Sequence, residues 1–299
     1  MKKKVWIACG LSLGLLLTGC GSGENEAAST ETKQEIKSKS ELGDYQIVLG
    51  GEIDEQDDKF VIEGKSNLIP GSRVVGELWV SKDELYTDTT ELVEEDGSFT
   101  MELDHHQYGE ATFVVRFDFE SAQDDPIKRH YGERGQKLKG PYIYKHEVLG
   151  DINKKAEVSL TYHPDEETDL VFKEPQWEKR PEDYGEPRVW IEVDEITEDG
   201  EFYYLSGKSN LLEGAEIKGS FASNTEKTQI KPDGTFDLKI KYRYKENEDF
   251  EITFNPQYQW DEIQEAYGSE GQKLVGDLVV TNQYSKNQTI EKIIPWENE

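Results

Sequence analysis

The stretch Tyr131-Gly132-Glu133-Arg134-Gly135-Gln136-Lys137-Leu138-Lys139-Gly140 returns 136 residues later as Tyr267-Gly268-Ser269-Glu270-Gly271-Gln272-Lys273-Leu274-Val275-Gly276. Two further matches lie upstream in the same order. Gly64-Lys65-Ser66-Asn67-Leu68 recurs at Gly207-Lys208-Ser209-Asn210-Leu211, and Asp96-Gly97-Ser98-Phe99 recurs at Asp233-Gly234-Thr235-Phe236. Their separations are 143 and 137 residues. Three collinear matches mark a duplicated domain rather than chance similarity.

The apolar residues between these motifs give the fold class. Phe99, Met101 and Leu103 alternate with polar residues, as do Phe236, Leu238 and Ile240; Phe113, Val115 and Phe117 map onto Phe250, Ile252 and Phe254, and Val74 and Leu78 onto Ile217 and Phe221. A period of two buries one face of a strand and wets the other, and no period of 3.6 is sustained. The Asp-Gly pairs between apolar runs signal hairpins. The chain is therefore expected to be all-β, with two tandem antiparallel sandwiches of immunoglobulin-like or transthyretin-like kind. Each copy should have about seven strands over roughly 110–120 residues. Boundaries are placed at 44–165 and 188–299, with an acidic, proline-containing connector at 166–187. Pro175, Pro181 and Pro187 favour an extended connector; Phe172, Trp177 and Tyr184 are large enough to pack part of it on a sandwich. The shared Asn and Gly residues are expected to serve turns. The Tyr-Gly-x-x-Gly element should enter the last strand through a tight loop, its ring covering the open end of the sandwich.

The N-terminus carries a different message. Lys2-Lys3-Lys4 precedes an apolar run from Val5 to Leu17, a basic head and short apolar stretch of the export-signal type. It ends in Leu17-Thr18-Gly19-Cys20. This resembles the lipobox of bacterial lipoproteins, and the resemblance implies cleavage after residue 19, acylation of Cys20 and anchoring on the outer face of the cell membrane. Cys9 leaves with residues 1–19, so no disulfide within the mature chain is possible. Residues 20–43 are polar and should form a disordered tether, with a typical reach of about 25–30 Å as a coil and roughly 75–80 Å when stretched. The lysine-rich start and Glu/Lys-rich composition are of Gram-positive character.

The net charge is −29, and loss of Lys2, Lys3 and Lys4 takes it to −32. Such a chain excludes nucleic acid as a partner, repels anionic surfaces at long range and attracts cationic ones. Lys128-Arg129-His130, continuing to Arg134, Lys137 and Lys139, is the local exception. It is expected to neutralise neighbouring acids or to contact an anionic partner or membrane surface. Four acidic groups, around Asp54, Glu94, Asp124 and Asp194, lack the ligand spacing of a calcium loop. No hydrolase, zinc or phosphate-loop motif is present, and adjacent His105 and His106 would face opposite sides of a strand. No cofactor is expected, and an enzyme is disfavoured. Trp79, opposite Val74, Leu78 and Val80, is a candidate contact residue. The sequence thus favours a non-enzymatic module for a protein partner, with cation (Ca²⁺) or carbohydrate binding as the alternative.

Overall fold

A computed structural model describes residues 41–81, 84–104, 109–120, 122–164, 169–244 and 248–296. Cys20, His105 and His106 lie outside the described residues. The fold is all-β: four antiparallel sheets pack as two sandwiches, each with a three-stranded and a five-stranded sheet. The first copy runs β1 (Leu49–Glu55), β2 (Lys59–Ser66), β3 (Arg73–Ser81), β4 (Glu84–Leu92), β5 (Ser98–Asp104), β6 (Ala111–Phe117), α1 (Asp125–Tyr131), β7 (Ile143–Val148) and β8 (Asp151–Tyr162). The second repeats this order as β9 (Ile191–Glu198), β10 (Phe202–Ser209), β11 (Glu216–Phe221), β12 (Asn224–Gln229), β13 (Thr235–Lys241), β14 (Phe250–Phe254), α2 (Asp261–Tyr267), β15 (Val279–Thr281) and β16 (Gln288–Ile294). The short sheets are β1-β2-β5 and β9-β10-β13; the long ones are β4-β3-β6-β8-β7 and β12-β11-β14-β16-β15.

The inward residues form one apolar core per copy. Phe99, Met101, Leu103, Phe113, Val115 and Phe117 belong to the first, and Phe236, Leu238, Ile240, Phe250, Ile252 and Phe254 to the second. Each of them is at most 2% exposed, so the alternation in the sequence translates directly into burial. In chain order, seven strands of each copy follow immunoglobulin-like connectivity with the fourth strand placed on the long sheet.

Several expectations need correction. Each copy has eight strands, because β7 and β15 add an edge to the long sheet. The Asp-Gly turns do not close hairpins. Glu94 N–H donates to Ser98 O and Gly97 N–H to Glu94 O, making a tight turn, yet β4 and β5 lie in different sheets, so the turn is a corner between layers. The repeated tyrosines, Tyr131 and Tyr267, close the seven-residue helices α1 and α2 and are fully buried, each ring packed on the last residue of β6 or β14. The connector packs on both copies, in line with its large side chains. Phe172 joins the first core, and Phe172 N–H donates to Gly51 O at 3.0 Å. Trp177 Nε1 donates to Pro141 O at 2.6 Å, while Glu178 N–H reaches Asp233 of the second copy at 2.9 Å.

The three repeated motifs interlock, which explains their retention. A Cβ on Gly64 or Gly207 would overlap the ring of Phe99 or Phe236, so glycine lets that ring cross the strand. Ser66 N–H donates to Gly97 O, and Ser209 N–H to Gly234 O, both at 2.8 Å. The Tyr131 hydroxyl accepts from Ile69 N–H at 3.0 Å and that of Tyr267 from Leu212 N–H at 3.1 Å. Asn67 and Asn210 bridge the incoming strand, each accepting from one backbone N–H and donating to another carbonyl. Lys137 and Lys273 donate to carbonyls at the ends of α1 and α2, where such groups lack helical partners.

Candidate cleft between the two sandwiches

The outer face of β3, β6, β8 and β7 looks onto β12, the start of β10 and Lys239 of β13, leaving an open cleft of about 1010 Å³. It continues into a second hollow of about 680 Å³ through His146, Lys155, Glu157 and Glu226.

Trp79 lies here because the first copy has a longer hairpin. Both β3 and β4 are nine residues long, whereas β11 and β12 have six each. That difference accounts for the unequal spacing of the repeated motifs, and the extension begins at Trp79. Its register shifts at Leu78/Trp79 and again before Ser81, so Val80 joins the cleft lining instead of the buried set with Val74 and Leu78. The indole Nε1 donates to Glu77 Oε2 at 2.9 Å, and Glu77 Oε1 accepts from Arg116 Nε at 2.9 Å. Arg116 also pairs with Asp118. Glu77 and Asp118 are 7% and 1% exposed, so the Arg116 guanidinium bridges two nearly dry carboxylates, with Glu120 N–H also donating to Asp118 at 3.0 Å.

His146 sits at the junction of the two hollows. Burial, with Lys155 and Arg116 nearby, lowers its pKa to about 4 against a weaker opposing pull from Glu120. Neither ring nitrogen has a hydrogen-bond partner. Across the cleft, Lys239 pairs with Glu110 at 3.5 Å and lies over the Phe202 ring at 4.4 Å. Seven carboxylates line the larger hollow against three Lys and Arg side chains.

The junction is also polar. The buried Glu213 accepts from Lys145 N–H at 2.8 Å and from Arg180 Nη2 at 3.2 Å, and Lys145 Nζ bonds both oxygens of Glu262 at 2.8 and 3.0 Å. In the first copy, the positions of Glu213 and Glu262 are held by Pro70 and Pro126.

Lys128, Arg129 and Arg134 do not join this cleft. They lie on α1 and the following loop, at the end of β6 away from Thr112 and Trp79. Arg134 pairs with Asp151 at 2.5 Å, one of the neutralising contacts expected for the basic run. The acidic groups mainly serve their own turns. The Asp96 carboxylate accepts from the Ser98 hydroxyl and N–H, which lowers its pKa; the Tyr204 hydroxyl, followed by Phe202 and Glu201 N–H, lowers that of Asp199 to about 2. Among the described residues no group of three His, Cys, Asp or Glu side chains is arranged to hold a metal ion, and no helix is long and apolar enough to cross a membrane.

Sequence reasoning picked out Trp79 but missed Glu77, Arg116, His146 and Lys239. The outward positions of β6, Thr112-x-Val114-x-Arg116, were a usable signal for Arg116, and Glu77 stands two residues before Trp79 on the same strand; His146 and Lys239 meet them only through the tertiary fold.

No protein-family model matches the sequence, and no curated protein does. Among solved structures, a chain from "Structural insight into host cell surface retention of a 1.5-MDa bacterial ice-binding adhesin" aligns at 11% identity and a TM-score of 0.20. The alignment covers 86% of this chain and 66% of that one. A likeness that low carries no argument for this protein.

Proposed function

We propose that this protein is a lipid-anchored, extracytoplasmic, non-enzymatic interaction module whose inter-sandwich cleft receives a basic segment of a protein partner. Residues 1–19 act as the export signal, Cys20 carries the lipid, and residues 20–43 tether the sandwiches of 44–165 and 188–299, joined by 166–187. The anchor rests on Leu17-Thr18-Gly19-Cys20; two or three acyl chains hold firmly, since each buried methylene contributes about 0.8 kcal/mol. The observation that carries the binding reading is the cleft itself, built on the hairpin extension that only the first copy possesses. Its aromatic rim at Trp79 and Phe202 and its excess of carboxylates suit a Lys- or Arg-bearing chain.

The test is photocrosslinking in intact cells from a probe at Trp79, with a probe at Tyr258 as control. One reproducible protein neighbour, captured only from Trp79 through a basic peptide and lost at high salt, is expected. No reproducible neighbour, or equal capture from both positions, would overturn the reading. Mass analysis of the N-terminal peptide checks the anchor separately: an acylated Cys20 supports it, and a free thiol refutes it.

A carbohydrate reading has one observation in its favour. Tyr258 and Tyr284 are 77% and 94% exposed, on turns joined by Asn287 Nδ2 donating to Gln257 Oε1 at 3.1 Å. Exposed rings flanked by amides suit a neutral sugar. Binding of soluble wall polysaccharide that Tyr258→Ala and Tyr284→Ala both remove would favour this reading over the first.

A further inference from the structure

We infer that the α1 end of the first sandwich is a docking surface for anionic lipid headgroups, so that the protein stands on the membrane with this end down. The inference rests on the lipid anchor proposed above and adds a surface to it.

Three observations converge on this end. The first is charge. Residues 126–140 carry five Lys and Arg against one acid, net +4, while the equivalent 262–276 carry one against three, net −2. The two segments fold alike, and of these basic residues only Lys137 has a counterpart, Lys273. The helix and loop therefore do not require the other four. Among the described residues no ion pair holds Lys128, Arg129 or Lys139, and the latter two are exposed.

The second is where the chain enters. Gly43 O is 2.6 Å from His130 Nε2, and Gly43 N–H donates to Asn67 O at 2.7 Å. Tyr45 stacks on His130 at 5.1 Å, and Lys137 Nζ lies over the Tyr45 ring, 5.7 Å from its centre. The polypeptide running back to Cys20 thus leaves the sandwich beside the basic helix. A coil of that length has a typical reach of about 25–30 Å, so this is the end nearest the bilayer.

The third is apolar. Leu149, at the tip between β7 and β8, is completely exposed with φ of 52°. Asp151, two residues on, pairs with Arg134, and Lys154 N–H donates to Arg134 O at 2.9 Å, which joins the tip to the basic loop. A leucine held in water at a tip joined to the basic loop fits a lipid interface better than a soluble phosphate polymer, which offers nothing to the leucine. The strongly acidic remainder is repelled by the same surface, so charge orients the molecule as well as attracting it.

The test enforces proximity independently of acylation in cells. Mature chain with a free Cys20 thiol is coupled to a maleimide-headgroup lipid in vesicles containing a photoactivatable anionic lipid, and the adducts are mapped by mass spectrometry. Adducts on Lys128–Lys139 and on the peptide with Leu149, falling at least tenfold in Lys128→Glu/Arg129→Glu and at about 0.5 M salt, are expected. Absence of adducts there, or equal labelling of the Tyr284 peptide, would overturn the inference. Acylation of Cys20 in cells is read separately from the native protein, so failure of the anchor and failure of the docking surface remain distinct results.

Discussion

Replacing Tyr131 or Tyr267 by Phe tests whether the repeated motifs exist to hold the sandwich. Each hydroxyl is the partner of a backbone N–H in a turn, Ile69 at 3.0 Å and Leu212 at 3.1 Å, inside a fully buried environment. Phe keeps the ring and strands the donor, which should cost about 1–3 kcal/mol per site. A pH series separates this account from a mere packing defect. Burial pushes the Tyr131 phenol up to about 12, and the Tyr267 phenol is raised for the same reason. Between pH 10 and 12 the folded state therefore binds more protons at these sites than the unfolded state, so stability falls as pH rises. At pH 11 a phenol shifted by two units has lost roughly 1.4 kcal/mol of its contribution. Phe cannot ionise, so the gap between Tyr131→Phe and wild type should narrow by about that amount from pH 7 to 11. Urea unfolding followed by tryptophan fluorescence reads both quantities. A penalty below about 0.5 kcal/mol at neutral pH, smaller than any stranded buried donor should give, would refute the reasoning, as would a gap independent of pH.

Arg116→Met removes the guanidinium that bridges the buried Glu77 and Asp118 and should destabilise by about 3–5 kcal/mol; a loss under 1 kcal/mol in the same unfolding assay would show that solvent reaches the pair. Glu213→Ala removes the acceptor for Lys145 N–H and Arg180 and should cost about 1.5–3 kcal/mol. Limited proteolysis should then cut the connector between Phe172 and Pro187 faster than in wild type, and an unchanged rate would argue against Glu213 as the junction. His146 has its pKa lowered to about 4, so between pH 6.5 and 4 the unfolded state binds more protons and acidification destabilises the protein. Thermal melts should show a shallower acid slope for His146→Phe; an identical slope would exclude this histidine as the cause.

The duplication and the strand faces were legible because both depend on local spacing. A period of two puts Phe113, Val115 and Phe117 on one face whatever the sheet partners are. The short helices escaped notice because each holds only one buried apolar i,i+4 pair: Ile127 with Tyr131, and Ile263 with Tyr267. That single step is too little to outweigh the strand pattern around it. The Asp-Gly turns were located correctly, but a turn does not say whether the next strand pairs with the last or crosses to the opposite layer. That choice is made by β2, which takes β5 as its neighbour over seven residue pairs. The cleft was legible only at Trp79. Apart from Glu77 on the same strand, its groups come from β6, β7, β8, β10, β12 and β13, and no sequence window contains them together.

The differences between the copies say more about use than their shared motifs do. Those motifs are occupied with one another, so their retention follows from the fold alone. Where the copies part, three of the changes meet at one junction: Glu213 for Pro70, Glu262 for Pro126, and Lys145 where β15 has Thr281. A third sandwich added after the second would find Thr281 instead of the lysine, and one added before the first would find two prolines instead of the carboxylates. The contact therefore cannot propagate as a head-to-tail array through the same charged pairs, which heterologous assembly would require. Within this pair, the hairpin extension carrying Trp79 places its distinctive side chain in the space that pairing creates.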